Sequence, residues 1–262
     1  MLKTKRPRTL GQKQNDISKQ VEKFIFSKTP AMRRVRREVI DPLYQVGEVA
    51  VIGGLVRDIV RFGIDLRPIS DLDLVIDGPS VHVERIAERL GAKPNRFGGY
   101  NLSTDFYKVD FWALPTTWAK KNTDIEIESV EDLTKSTFFN WDAIVYSITK
   151  NKTHFGESYL RELSDRVLEI NLAITPSHKG NTVRALRRLY GWRAAPGPAM
   201  LEFIYDAQEH YPWAEIVAQE ACAFHNSYLG SFESFAQYFD YLSDWQTSDL
   251  PYSQMSLFPF ES

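Results

Sequence analysis

The sequence predicts an α+β protein, a mixed-sheet head flanked by helices and followed by an all-helical C-terminal part. Two features point there. Up to about residue 155, short apolar runs with strand spacing alternate with stretches of helical spacing. From about Ser158 onward the spacing is helical throughout.

At 262 residues the chain is long enough for one large domain or two modest ones. An apolar fraction of 43% and a charged fraction of 25% are ordinary for a soluble globular protein. No run approaches the roughly 18 apolar residues of a membrane span, so no membrane contact is expected. The basic N-terminus lacks the apolar core of a signal peptide. Cys222 is the single cysteine, which excludes an internal disulfide and fits a reducing compartment. One cysteine and five scattered histidines also argue against structural zinc. The expected location is cytoplasmic.

The net charge of −2 conceals a polarity. Residues 1–40 carry twelve Lys or Arg against Asp16, Glu22 and Glu38. After Arg193 no Lys or Arg occurs, while ten Asp or Glu follow. The basic arm suits phosphates; the acidic end suits a protein partner better than a nucleic-acid backbone.

The elements follow in order. The spacing predicts helices over 16–26 and 31–43, with Pro30 and Pro42 punctuating the second. Residues 48–52 are an apolar run that ends in Gly53 and Gly54, and helical spacing follows at once: strand, tight turn, helix. Residues 71–76 alternate and then stay apolar, as a half-buried strand does, before Asp77 and Gly78 break the pattern. A helix is expected over 81–90 and strands over 100–106 and 107–114, the last beside the Asp71 strand. A basic helix over 181–193 and further helices over 199–208, 213–228 and 232–245 complete the expectation. The implied segments are a basic arm (1–45), a head (46–155), a helical part (156–245) and a tail (246–262).

The chemistry concentrates on carboxylates. Asp71 and Asp73 are separated by one residue on a strand, so their side chains share a face. Side-by-side carboxylates repel unless a cation lies between them, and magnesium is the hard, oxygen-loving ion that fits. Phosphoryl transfer needs such an arrangement, one ion activating a hydroxyl and a second neutralising triphosphate and pyrophosphate. Asp110, within Lys108-Val-Asp-Phe-Trp112, is the candidate third ligand from a neighbouring strand. A bare Asp-x-Asp pair can also simply cap a strand end. Upstream, Gly53 and Gly54 let backbone N–H groups approach phosphate oxygens at a helix N-terminus. Arg57 could reach a phosphate, or equally pair with its neighbour Asp58.

Gly53-Gly-Leu-Val-Arg-Asp58 followed by Ser70-Asp-Leu-Asp-Leu74 resembles the signature of class II tRNA CCA-adding enzymes and bacterial poly(A) polymerases. The resemblance implies a polymerase-β-like nucleotidyltransferase head, two magnesium ions, a nucleoside triphosphate substrate and an RNA acceptor such as a tRNA 3′ end. It also implies that Asp110 is the third metal carboxylate. Phe138-Phe-Asn-Trp-Asp-Ala143 is similar to the family's sugar-contacting motif, with Asp142 where the family has Asn. Asn181-Thr-Val-Arg-Ala-Leu-Arg187 is similar to its base-reading helix; Arg184 and Arg187 match, while Gly180 and Asn181 replace an acidic pair. Asp142, Asn181, Arg184 and Arg187 are therefore expected at the sugar and base. The family's members continue into longer RNA-gripping regions, and the all-acidic stretch after Arg193 departs from that pattern. This favours one alternative, a protein or small-molecule acceptor, while the altered sugar and base motifs favour another, a catalytically silent nucleotide-binding adaptor tethered to the sliding clamp.

The tail carries Gln254-Met-Ser-Leu-Phe258, which resembles the short peptide with which bacterial proteins bind the DNA sliding clamp. In such a peptide Leu257 and Phe258 would fill an apolar pocket while Gln254 hydrogen-bonds at its rim.

Overall fold

The computed structural model describes residues 10–64, 71–104 and 107–247. The chain forms two compact units. Among the described residues, the first holds those up to Thr137 together with Asp142–Glu157; the second holds Phe138–Trp141 and residues 158–247.

The first unit opens with α1 (Leu10–Ile25), which buries Ile17, Val21, Phe24 and Ile25. The described part of the expected arm, residues 10–45, falls in this unit. Next come α2 (Pro30–Val35), a π-helical turn (Arg36–Ile40) and α3 (Asp41–Tyr44). The helical path runs on past Pro42, as the expected helix over 31–43 did. The wide π turn just before it loosens the ladder where proline brings no N–H.

Strand β1 (Glu48–Ile52) and helix α4 (Gly54–Phe62) flank the glycine turn. Then follow β2 (Leu72–Asp77), α5 (Ser80–Leu90), β3 (Lys93–Pro94), β4 (Tyr100–Ser103), β5 (Lys108–Ala113) and α6 (Trp118–Asn122). The unit closes with β6 (Ile144–Ser147) and β7 (Lys152–Phe155). Those two strands were not foreseen. Each is four residues long, too short for a periodic signal.

The strands form one seven-stranded mixed sheet in the order β3-β4-β5-β2-β1-β6-β7. Every pairing is antiparallel except β2 with β5. That parallel pair is joined by α5 and the β3-β4 hairpin, as a parallel pair requires a long crossover. Val49, Ala50, Leu74, Ile76, Val109, Phe111 and Ile144 are fully buried and form the core between sheet and helices. Gly47 has no alternative: a Cβ there would sit 2.0 Å from the Asp77 carbonyl oxygen. At the sheet edge, Ser18 Oγ accepts the Thr153 N–H at 2.9 Å and lies 2.9 Å from Thr153 Oγ1. α1 thereby covers a strand that would otherwise present open hydrogen bonds.

The second unit contains α7 (Tyr159–Ser164), β8 (Val167–Leu168), α8 (His178–Gly191), β9 (Ala195–Pro196), α9 (Pro198–His210), α10 (Trp213–Ala223) and α11 (Phe235–Thr247). It is helical apart from the small parallel pair β8-β9, which the helical expectation missed. The Phe138–Trp141 segment is woven into it. Asn140 donates to Glu162 Oε2 (2.9 Å) and the Val167 carbonyl (3.1 Å) and accepts the Glu169 N–H (3.0 Å). The Trp141 ring donates to the Val167 carbonyl at 2.8 Å and stacks on Trp192 at 5.5 Å. Tyr238 of α11, wholly buried, donates to the Leu186 carbonyl of α8 at 2.7 Å. No helix among the described residues is long and apolar enough to cross a membrane.

Candidate active site

The carboxylates owe their placement to strand alternation. Leu72 and Leu74 of β2, and Val109 and Phe111 of β5, are buried, so the residues between them point to the opposite side. Asp73 and Asp110 are direct partners in the parallel register of β2 and β5. Paired residues of neighbouring strands project to the same face, so these two acids stand side by side. Asp71, just before the strand begins, precedes Asp73 by two positions, and its carboxylate lies 3.7 Å from Lys108 Nζ. Both of those side chains are about half exposed, so the pair contributes little stability. On the other flank Asn101 of β4 pairs with Asp110 across the antiparallel ladder and donates Nδ2–H to its Oδ1 at 2.8 Å.

Among the described residues no three His, Cys, Asp or Glu side chains converge closely enough to enclose an ion by themselves. Magnesium does not demand such a cage. It is held by one or two carboxylates and completes its octahedron with water and substrate phosphates. Two hard-oxygen donors in register, with a third carboxylate two residues away, fit that ion.

The glycine turn lies at the end of β1. Gly53 adopts φ +71°, a left-handed conformation that favours glycine, and its N–H donates to the Ile144 carbonyl at 3.0 Å. Gly54 starts α4. A Cβ on Gly53 would lie 3.8 Å from the Asp142 side chain and carbonyl, so the turn and the Asp142 loop run close together.

Arg57 explains that closeness. Its side chain is 6% exposed; it contacts Asp58 Oδ1 at 2.7 Å and also ion-pairs with Asp142 Oδ1. Burial works against its charge, but the fields of Asp142 and Asp58 outweigh it and hold the guanidinium's pKa above the ordinary value. Of the two fates expected for Arg57, a phosphate or Asp58, the structure describes the contact with Asp58. The Arg57 donors serve two half-buried carboxylates and tie the glycine turn to the Asp142 loop. Asp142, expected at a sugar, has its carboxylate engaged in the same latch.

The expected base-reading residues lie on α8 in the second unit. Asn181 is buried and donates to Thr175 Oγ1 at 2.7 Å, while exposed Arg184 reaches Asn181 Oδ1 at 3.5 Å. Arg187 has a structural role instead. It ion-pairs with the fully buried Glu220, donates to the Asn226 carbonyl at 2.6 Å, and lies 4.1 and 4.2 Å from the Phe224 and Tyr228 ring centres. Gln254, Leu257 and Phe258 lie outside the described residues. A separate open groove, lined in part by Val46, His82, Arg85 and Arg89, occupies the Asp77 end of β2, away from the carboxylates.

Sequence reasoning missed Asn101 and Lys108. Lys108 was findable, since it precedes Asp110 by two on a strand and shares its face. Asn101 was not, because its place opposite Asp110 depends on the β4-β5 register, which the sequence does not print.

The mixed seven-stranded sheet with its single parallel pair, flanked by helices and followed by a helical part, is a fold shared with solved tRNA nucleotidyltransferases. Among solved structures the chain is similar to a CCA-adding enzyme with CTP, at TM-score 0.57 and 16% identity, over 88% of this chain and 54% of that one. It is similar to the Thermotoga maritima CCA-adding enzyme complexed with tRNA at TM-score 0.56 and 15% identity, over 87% and 54%. A tRNA nucleotidyltransferase complexed with a primer tRNA and an incoming ATP analog gives TM-score 0.51 and 17% identity, over 80% and 60%. At these identities the likeness is one of fold, and the chain spans little more than half the length of those structures. No family model matches the chain, and no curated protein matches it in sequence.

Proposed function

We propose that this chain is a nucleotidyltransferase that moves a nucleoside monophosphate from a nucleoside triphosphate to a hydroxyl, the acceptor being an RNA 3′ end. The observation that carries it is the in-register pair Asp73 and Asp110, with Asp71 beside them and the Gly53-Gly54 turn on the neighbouring strand. Two side-by-side carboxylates on a sheet face have no stabilising role of their own, because their mutual repulsion costs energy unless a cation is shared.

In this reading Asp71, Asp73 and Asp110 hold two magnesium ions. Magnesium, when bound, neutralises phosphate charge and makes a coordinated hydroxyl more acidic. The acceptor oxygen forms a bond to the α-phosphorus while the bond to the bridging oxygen breaks, and pyrophosphate leaves with that electron pair. Asp110 draws the hydroxyl proton. Gly53, whose own N–H is held by the Ile144 carbonyl, shapes the turn, and the backbone N–H of Gly54 at the start of α4 faces a triphosphate oxygen.

RNA is favoured as acceptor by the twelve basic residues among the first forty and by the tRNA present in structures of similar fold. One observation favours a second reading, a protein or small-molecule acceptor: the absence of any Lys or Arg after Arg193. Incubating the protein with each labelled triphosphate, magnesium, and total cellular RNA and protein separates the two. Label on RNA, lost in Asp71→Ala/Asp73→Ala, is the expected result. Label on protein moves the assignment to the second reading, and no label in any fraction defeats both.

A further inference from the structure

We infer that Asn101 is a positioning residue for Asp110, fixing its carboxylate for the cation; this rests on the proposed role of Asp110 as a metal ligand. Three facts converge on it. First, β4, β5 and β2 are adjacent, and Asn101, Asp110 and Asp73 occupy one row across them, each the direct register partner of the next. Second, Asn101 Nδ2 donates to Asp110 Oδ1 at 2.8 Å, within the good range for an N–H bond to an ionised oxygen. Third, the register behind that bond is locked one step along, where Tyr100 packs on buried Phe111 with ring centres 5.6 Å apart.

The residue type suits the task. An amide offers a hydrogen without offering a positive charge, so it orients the carboxylate while leaving its full negative charge for a metal. The contrast with the neighbouring row is instructive. There Lys108 faces Asp71 and supplies a cation of its own. A carboxylate has room for about four hydrogen-bond or metal contacts, and the bond to Asn101 uses one of them on Oδ1, leaving Oδ2 for coordination. Groups that orient a ligand in this way typically matter tenfold to a hundredfold in metal affinity when removed.

The test reads metal binding directly. Mn²⁺ is titrated into the full chain and free Mn²⁺ is counted by electron paramagnetic resonance, in wild type, Asp110→Ala and Asn101→Leu. Leucine matches asparagine in shape and suits a strand; Asn101→Ser is the second variant if it fails to fold. Melting temperature is recorded in parallel. The expected result is tight binding in wild type, strong loss in Asp110→Ala, and a weakening of roughly tenfold to a hundredfold in Asn101→Leu with its melting temperature kept. Nucleotidyl transfer by Asn101→Leu is then expected to need more magnesium and to recover most of its rate when saturated. If Asp110→Ala weakens Mn²⁺ binding and Asn101→Leu does not, the positioning role is overturned and the active-site assignment stands. If neither Asp110→Ala nor Asn101→Leu changes binding, or wild type binds no Mn²⁺, both fall together.

Discussion

Arg57 shows how one buried charge can organise a turn. It lies between Asp58 and Asp142, all three largely hidden from solvent, and these contacts hold the glycine turn beside the loop that carries Asp142. Removing one partner from a buried ion pair leaves the others uncompensated, so Arg57→Ala should cost about 3–5 kcal/mol in urea unfolding. Arg57→Lys should recover only part of that, because a single ammonium cannot serve two carboxylates as a planar fork does. The sequence offered Arg57 two fates, phosphate or Asp58, and the structure gives it Asp58 together with a partner 85 residues away. Distant partners of this kind are not legible from spacing. Glu220 repeats the lesson. Burial pushes its pKa up, but the N–H groups of Tyr228 and Leu229, the Ser227 hydroxyl and Arg187 outweigh it and hold the value below 4.5. A depressed carboxyl contributes stability that is fully present above its unfolded pKa and is lost as pH falls through the folded value. Glu220→Gln should therefore be less stable than wild type at neutral pH, with the gap closing below about pH 4.5 in acid titrations of unfolding.

Single elements were legible in proportion to their length and periodicity. The run of strand, glycine turn and helix from β1 to α4 announced itself because its spacing changes abruptly at Gly53. β2 and β5 did so because acids alternate with buried aliphatics. β6 to β9 are too short to show a period, and only their pairing reveals them. The junction of α1 with β7 is another feature that no local signal encodes. Ser18 and Thr153 are both buried there, and the Ser18 hydroxyl accepts the Thr153 N–H. Ser18→Ala leaves that donor without an acceptor and should cost about 1–3 kcal/mol. Hydrogen exchange checks the cause as well as the size: the Thr153 amide should lose more protection than those of β1.

For the molecule as a whole, the fold class was readable in the sequence. The carboxylate and glycine motifs sufficed to anticipate the nucleotidyltransferase fold. The expected cut near residue 155 lies close to Glu157, while the described part of the expected arm falls in the first unit and Phe138–Trp141 in the second. Both placements rest on contacts between segments far apart in sequence. If the proposed function holds, the folded protein should be stabilised by a triphosphate only in the presence of magnesium. At a ligand concentration of a hundred times Kd the gain is about 2.7 kcal/mol, visible as a raised melting temperature. Asp73→Ala should abolish the gain. Equal stabilisation with and without magnesium would count against metal-dependent binding.

The path of residues 138–157 also has a consequence for inheritance. The chain enters the second unit for four residues, returns to the first, and leaves it again after Glu157. A recombination joint at 157 would exchange the helices without Phe138–Trp141, and the incoming helices would lack the side chains that satisfy Val167 and Glu169. A joint at 157 therefore carries neither unit whole. Lineages that carry this head and these helices are expected to have kept them together, varying by substitution rather than by shuffling.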